Sequence, residues 1–223
     1  MAASDAEHVL SSLETPLALD SLARGRGPWE VEIGFGKGRY LLRRATAEPA
    51  RRFLGIEVSA RYYRRVRDRS VKRGLSNLLL VRGEALYALS VVLPRAFANA
   101  VHVYFPDPWP KARHEERRLF DAASIDLLLA LLKPGGVLFF ATDFLDYADV
   151  VAGILDSHPG VTRRRVLGPW GGESRTNYEA KYIAEGRSIA RFEVTRIPQV
   201  TTTLVHPAAQ RALEAAVGRA QDG

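Results

Sequence analysis

Apolar and polar positions along the chain form short blocks whose spacing switches between strand-like and helix-like. Short, near-continuous apolar runs predict strands that are covered on both faces. They lie at 29–33, 53–58, 78–81, 100–104, 137–141, 161–167 and 189–195. Segments with helical spacing separate them, at 39–46, 59–72, 86–93, 120–132 and 147–157. This alternation predicts an α/β fold, Rossmann-like and doubly wound, with a mostly parallel sheet and helices on both faces.

Turn-forming residues and changes in composition divide the chain further. Ser59 is a suitable N-cap, Gly74 suits the end of the same helix, and Lys-Pro-Gly-Gly at 133–136 predicts a turn. We expect a short N-terminal arm at 1–28, one domain at 29–197 and a C-terminal extension at 198–223. The extension contains an alanine-rich stretch, 207–220, that predicts a helix.

Composition narrows the possible functions. The 223 residues include no cysteine, which excludes disulfides, thiolate metal ligands and a cysteine nucleophile. There is no apolar run long enough for a membrane span, and the polar, acidic start lacks the pattern of a secretory signal. We therefore expect a cytoplasmic protein with no membrane partner. The net charge of +7 favours a nucleic-acid partner.

A glycine-rich run follows the first predicted strand and opens the first helix. Gly34, Gly36 and Gly38 permit a tight turn and the close approach of a ligand to bare backbone. A dinucleotide fingerprint would need its third glycine at position 39, where this chain has arginine. Glu32, just before the run, would repel a pyrophosphate and would suit a ligand that carries an amino group and a sulfonium. The run therefore favours S-adenosylmethionine over NAD.

Two further acids follow predicted strands. Glu57 ends the second strand, 23 residues after Gly34, where an acid commonly binds ribose hydroxyls. Glu84 comes just past the third strand and suits the adenine or ribose region. An acid in such a place is also often simply solvated, so the argument rests on their combination with the glycine run.

A proline-rich loop follows the fourth predicted strand. Prolines at 106, 108 and 110 stiffen it and hold Asp107 and Trp109 at the edge of the sheet where such folds bind ligands. A basic stretch comes next, and its side chains suit contacts with phosphates: Lys111, Arg113, His114, Arg117 and Arg118. The arginine-rich helix at 59–73 is interpreted as a plain surface helix, and the histidines lack metal-ligand spacing.

These motifs together resemble the bacterial tRNA (guanine-N7-)-methyltransferase family, over about residues 29 to 195. The resemblance is carried by the runs at 32–38, 55–57, 105–118, 142–143 and 176–181. It implies a fold of the class I methyltransferase type, with Glu32, Glu57, Glu84 and Asp107 at the cofactor. It implies guanine contacts by Lys111, Asp143, Thr176, Asn177, Tyr178 and Glu179, and RNA contacts by Arg113, His114, Arg117 and Arg118. The implied target is the guanine at position 46 of the tRNA variable loop. The family more often has aspartate where this chain has Glu84.

The chemistry of that target limits what Asp107 can do. Guanine N7 presents a free lone pair and has no proton to lose, so its methylation needs no general base. We therefore assign Asp107 the catalytic role of orienting the reactants and favouring the movement of positive charge. Two alternatives stay open, a methyltransferase acting on a small molecule or protein and a non-catalytic RNA-binding relative. Whether the protein is a monomer or a homodimer stays open as well.

Overall fold

The computed structural model describes residues 8–9, 17, 19, 23, 26–107 and 119–198. Their strands form one eight-stranded sheet in the order β1-β4-β3-β2-β5-β6-β8-β7. The strands are β1 His8–Val9, β2 Trp29–Ile33, β3 Arg52–Glu57, β4 Leu78–Arg82, β5 Ala98–Tyr104, β6 Leu132–Thr142, β7 Val161–Arg165 and β8 Ala190–Arg196. The helices are α1 Arg39–Ala47, α2 Ala60–Lys72, α3 Ala85–Tyr87, α4 Ala122–Leu131, α5 Leu145–Ser157 and α6 Asn177–Ala184.

The sheet is parallel except at one strand. β2 pairs in parallel with β3 on one side and with β5 on the other, and β8 alone runs antiparallel to its neighbours β6 and β7. The chain moves outward from β2 to β4 and then returns to place β5 against β2. This reversal makes the carboxyl ends of β2 and β5 the topological switch point, where such sheets bind ligands. The predicted fold class is confirmed.

Two layers of helices cover the sheet, and their packing differs. One face is apolar throughout, because Val31, Ile56, Val101 and Phe140 meet the buried sides of α4, α5 and the π-helical turn Ala88–Val92. On the other face, α1 and α2 cover β3 and β4 with a smaller apolar cluster: Phe35, Leu41, Leu42, Ala45, Phe53, Tyr63, Val66 and Leu80. Over β2, β5 and β6 that second face is instead aromatic and charged. The buried acids Glu30, Glu32 and Glu57 lie on this second face.

Local sequence signals explain where several elements begin and end. The Ser59 hydroxyl accepts from the Tyr62 N–H and caps α2, as predicted, and Gly74 follows that helix with φ of 64°. Asp121 caps α4 in a capping box with Ser124. Each of these capping contacts joins residues three positions apart, so the sequence near each helix end determines where the helix begins.

Two predicted segments differ in the structure, and one helix has no predicted counterpart. The helix expected at 86–93 begins as α3 but continues as the π-helical turn. The turn at 133–136 lies within β6, where Leu132 pairs with Ala98 and Val137 with Ala100, so the four residues between them form a bulge. The helix α6 was not predicted, since a Gly- and Ser-rich loop precedes it. The N-terminal arm is described only at 8–9, 17, 19, 23 and 26–28, and the predicted helix at 207–220 lies outside the described residues.

Across the described ranges, the helices are all too short or too polar to cross a membrane.

Candidate active site

Acidic side chains follow five neighbouring strands at one edge of the sheet. In spatial order these strands are β4, β3, β2, β5 and β6, and all five run parallel. The acids at or just after their carboxyl ends are Glu84, Glu57, Glu32, Asp107 and Asp143. Residues that are far apart in the sequence therefore line one edge, as the strand pattern predicts.

The glycine-rich turn at the end of β2 is shaped by its contacts with β3 and α2. Gly34, Gly36 and Gly38 all have positive φ, between 50° and 70°. The Gly36 N–H donates to Glu57 Oε2 at 2.8 Å. A Cβ on Gly38 would lie 2.6 Å from Val66 Cγ2, so this glycine is also needed for α2 to pack. A Cβ on Gly34 or Gly36 would have no atom of the described chain within 4 Å, so bare backbone is open to a ligand at this edge.

Glu32 is buried and incompletely paired. It is only 3% exposed, and its Oε2 has no hydrogen-bond partner among the described residues. Burial raises the pKa of Glu32 to about 8, a backbone hydrogen bond involving Leu41 opposes this rise, and the nearby Glu57 carboxylate adds to it. A buried polar atom without a partner is unusual and calls for an explanation. A cationic ligand beside the glycine turn would supply the missing partner.

Glu57 and Glu84 lie at the edge and also accept hydrogen bonds from nearby backbone N–H groups. Glu57 accepts from the Gly36 N–H through Oε2 and from the Ser59 N–H through Oε1 at 2.9 Å. Each carboxylate oxygen has a second lone pair, which is available to a ribose hydroxyl. Glu84 is exposed and caps α3, accepting from the N–H groups of Leu86 and Tyr87 at 2.9 and 2.7 Å.

The loop after β5 begins with a strained residue. Phe105 has φ of 53°, which is uncommon for a residue other than glycine, and its N–H donates to the Ala141 carbonyl at 2.7 Å. Such backbone outliers concentrate at functional sites. Asp107, two residues later, is exposed at the edge. The rest of the loop lies outside the described residues, including Trp109, Lys111, Arg113, His114, Arg117 and Arg118.

Tyr178, in the first turn of α6, brings the segment predicted to contact guanine to the acid-lined edge. Its ring packs 6.4 Å from that of Phe105. Burial is the main cause that raises the pKa of the Tyr178 phenol. Tyr62 and Tyr182 raise it further, and so do the negative charges of Asp107 and Glu57. The Tyr178 hydroxyl therefore lies near the acids that follow two different strands. It is about half exposed, so it stays open to a ligand.

The four residues at 176–179 differ in what their side chains do. The Thr176 hydroxyl caps α6 by accepting from the Glu179 N–H at 3.0 Å. The Glu179 carboxylate is 1% exposed and accepts from Arg191 Nε at 2.8 Å and from the Arg175 N–H at 2.6 Å. Asn177 and Tyr178 are exposed. The guanine contacts of all four stay predictions, and in the structure Thr176 and Glu179 hold the helix that presents the other two.

Arg175 anchors this helix to the sheet, a role that no motif in the sequence indicates. Its guanidinium lies 4.6 Å from the ring centroid of Trp170 and 4.7 Å from that of Phe139. It also donates to the Tyr104 hydroxyl at 2.6 Å. Tyr104 is the last residue of β5, so Arg175 ties the start of α6 to the strand that carries the Asp107 loop.

A second anchor joins Asp143 to the end of the same helix. Asp143 follows β6 and forms an ion pair with Arg187, just past α6. The Arg187 guanidinium lies 4.4 Å from the ring centroid of Tyr182. The carboxylate that we predicted to contact guanine thus also fixes the far end of α6.

A second buried acid on β2, Glu30, belongs to a polar network that sequence reasoning missed. It is 4% exposed and pairs with Arg44 at 2.7 Å and Arg51 at 3.1 Å. His102 Nε2 and the Tyr40 hydroxyl lie 3.4 and 3.3 Å from Glu30 Oε2. Burial alone would raise the pKa of Glu30, but hydrogen bonds from His102 and Arg44 outweigh it and lower the pKa to about 2.

The strand order and the acid-lined edge define an α/β domain of the class I methyltransferase type. The solved structure of 16S rRNA methyltransferase KamB has this fold, with a TM-score of 0.54 over 80% of this chain and 89% of that chain at 14% identity. Residues 26–192 match the sequence model of a family described as "Putative methyltransferase".

Closer relatives specify the family. The tRNA (guanine-N(7)-)-methyltransferase of Nitrosococcus oceani is 37% identical over 174 residues, which are 78% of this chain and 74% of that one. Its counterpart in Leifsonia xyli subsp. xyli is 38% identical over 188 residues, 82% of each chain. The chain therefore belongs to the tRNA (guanine-N7-)-methyltransferase family, as its motifs predict.

Proposed function

We propose that this protein transfers a methyl group from S-adenosylmethionine to N7 of a guanine in tRNA. The observation that carries the proposal is a carboxylate oxygen of Glu32 that has no hydrogen-bond partner among the described residues and is buried beside a turn of bare glycine backbone. Tyr178 and Asp107 lie at the same edge, so a cation bound there would be close to the segment predicted to contact guanine. Relatives named tRNA (guanine-N(7)-)-methyltransferase support the choice of substrate.

The residues of the edge fit the proposed cofactor. Glu32 would pair with the amino group of its methionine part and Glu57 with its ribose hydroxyls, while Gly34 and Gly36 let it approach the backbone. Glu84 would face the adenine or ribose region. When bound, S-adenosylmethionine supplies an electrophilic methyl group on a sulfonium.

Asp107 would act through its charge and position. During transfer, a bond forms between N7 and the methyl carbon, the bond from that carbon to sulfur breaks, and its electron pair stays on sulfur. Positive charge therefore moves to the purine, and a fixed carboxylate beside the guanine favours that movement. Tyr178 borders the same space and would pack against the base.

The finer assignments extend this proposal. The target is guanine 46 in the variable loop. Lys111, Asp143 and 176–179 would contact the guanine, and Arg113, His114, Arg117 and Arg118 would contact RNA phosphates. The domain at 29–197 would hold the whole site, with the arm 1–28 and the extension 198–223 outside it.

Nucleoside analysis of unmodified tRNA, incubated with the protein and S-adenosylmethionine, tests the proposal. We expect 7-methylguanosine at position 46. Asp107→Ala should lower kcat by about 100-fold or more and change cofactor affinity much less, because its charge acts mainly in the transition state. Asp68→Ala, which removes an exposed acid from α2, is the matched control and should keep wild-type kcat. Wild-type protein that binds the cofactor but forms no 7-methylguanosine would refute the proposed function.

A further inference from the structure

A basic groove lies between α1 and α2, beside the glycine-rich turn. It is a depression of about 620 Å³. The term basic groove refers here to the surface lined by five basic side chains: Lys37, Arg39, Arg43, Arg69 and Arg73. The other described residues that line it carry no charge.

Most of this positive charge is not neutralised within the described chain. Arg43 pairs with Glu173 at 2.7 Å, and both side chains of that pair are exposed. The other four basic side chains of the groove have no carboxylate within 4 Å among the residues that the structure describes. A protein surface ordinarily mixes both signs of charge, so one-sided clustering in a concave site favours an anionic ligand.

The groove continues directly from the candidate active site. Asn177, in the first turn of α6, lies in its wall, and its neighbour Tyr178 borders the acids of the edge. Lys37 belongs to the glycine-rich turn itself. A nucleic-acid strand with one base beside Tyr178 would therefore pass its next phosphates into the groove.

We infer that the basic groove binds the phosphate backbone of the RNA that flanks the target guanine. The inference rests on the proposed function and adds a binding surface to it. An arginine guanidinium can donate two parallel hydrogen bonds to the oxygens of one phosphate, and four of the five basic residues are arginines. Arg69 lies in the last turn of α2, and Arg73 is the C-cap residue four positions later, so the two guanidinium groups lie on the same side along the groove. The arginines of α2 are thus not all plain surface residues.

Two other arginines of α2, neither of which lines the groove, offer a matched control. Arg64 lies nine residues before Arg73, about two and a half helical turns, so it faces away from the groove. Arg61 is exposed and also absent from the groove lining. The double variants Arg69→Gln/Arg73→Gln and Arg61→Gln/Arg64→Gln remove the same charge from the same helix. Long-range attraction to RNA changes equally in both, and only the first pair alters the groove.

Affinity for an unmodified tRNA transcript, measured from about 50 to 200 mM KCl, tests the inference. The groove variant should bind roughly tenfold more weakly at the low end of that range, and its slope of log affinity against log salt should be shallower by about 1.5. The control variant should stay within about twofold of wild type. Calorimetry with S-adenosylmethionine should give the same affinity for all three proteins, which shows that the variants fold.

Two results would overturn the inference. If both double variants bind tRNA equally weakly, only the net charge of the protein matters. If the groove variant binds tRNA as tightly as wild type, no phosphate lies in the groove. Wild-type formation of 7-methylguanosine is scored in parallel. If wild type forms 7-methylguanosine and the groove variant binds tRNA as tightly as wild type, the inference about the groove is wrong but the proposed function stands. If wild type forms no 7-methylguanosine, the proposed function is wrong.

Discussion

Glu30 and Glu32 lie two residues apart on β2 and point to the same face of the sheet, yet their surroundings are opposite. Both are buried, at 4% and 3% exposure. Glu30 contacts two arginines, a tyrosine and a histidine, and its pKa falls to about 2. In the part of the chain that the structure describes, one oxygen of Glu32 has no hydrogen-bond partner, and burial raises the pKa of Glu32 to about 8.

The difference separates an acid whose charge is matched by neighbouring side chains from one that we propose pairs with a ligand. A buried carboxylate is stable in a folded protein when its charge and lone pairs are matched by neighbours, as they are at Glu30. Glu32 lacks that match and sits beside bare glycine backbone at the topological switch point. Burial alone does not distinguish the two acids, whereas the set of partners does.

The largest expected effect follows from removing the charge of Glu30. Glu30→Gln leaves the Arg44 and Arg51 guanidinium groups without their buried partner and should lower the free energy of unfolding by about 3–5 kcal/mol. Glu48→Gln is the control, because Glu48 binds the same two arginines but is 40% exposed. It should lower the free energy by less than about 1 kcal/mol. Urea unfolding measures both, and equal losses would contradict the structural role of Glu30.

The pH dependence of stability should differ in sign between the two acids. Folded Glu32 holds its proton up to about pH 8, while the unfolded chain loses it near 4.5, so this group lowers stability as pH rises through that window. Glu30 is ionised down to about pH 2 in the folded protein, so its contribution is lost as pH falls from 4.5 towards 2. Without cofactor, Glu32→Gln should therefore match wild type near pH 5 and exceed its stability by a few kcal/mol at pH 8.5.

Unfolding curves of the two proteins at both pH values check this expectation. Asp68→Asn, which changes an exposed acid on α2, is the control and should follow wild type at both. A stability difference between Glu32→Gln and wild type that does not change with pH would show that Glu32 is ionised in the folded protein across the whole range.

The sequence marks Glu32 as a candidate site residue but gives no sign of the network around Glu30. Glu32 precedes a glycine run, and the acids after the other strands follow a pattern that topology alone brings to one edge. Glu30 sits in the same strand with no local marker. Its partners Arg44, Arg51 and His102 lie 14 to 72 positions along the chain and become recognisable only once the sheet and α1 are assembled.

The same limit applies to the substrate segment. The run at 176–179 could be recognised as a motif, but α6 was missed because a short helix after a Gly- and Ser-rich loop gives little periodic signal. Arg175 stands next to the motif and gave no signal at all. Its role depends on Trp170, Phe139 and Tyr104, two of which belong to distant strands. Periodicity locates elements, whereas contacts between elements need the tertiary fold.

The smallest effect expected is on cofactor binding, and it tests what the free oxygen of Glu32 is for. Glu32→Gln removes a charged partner and should weaken S-adenosylmethionine binding by about 2 kcal/mol, roughly thirtyfold. At pH 7 the free protein holds the Glu32 proton, because its pKa is about 8, and pairing with a cation should expel it. Calorimetry in two buffers with different ionisation enthalpies should then report a proton released by wild type that the variant does not release. If both proteins release the same number of protons, the cation does not pair with Glu32, and the contrast with Glu30 would need a cause other than an absent ligand.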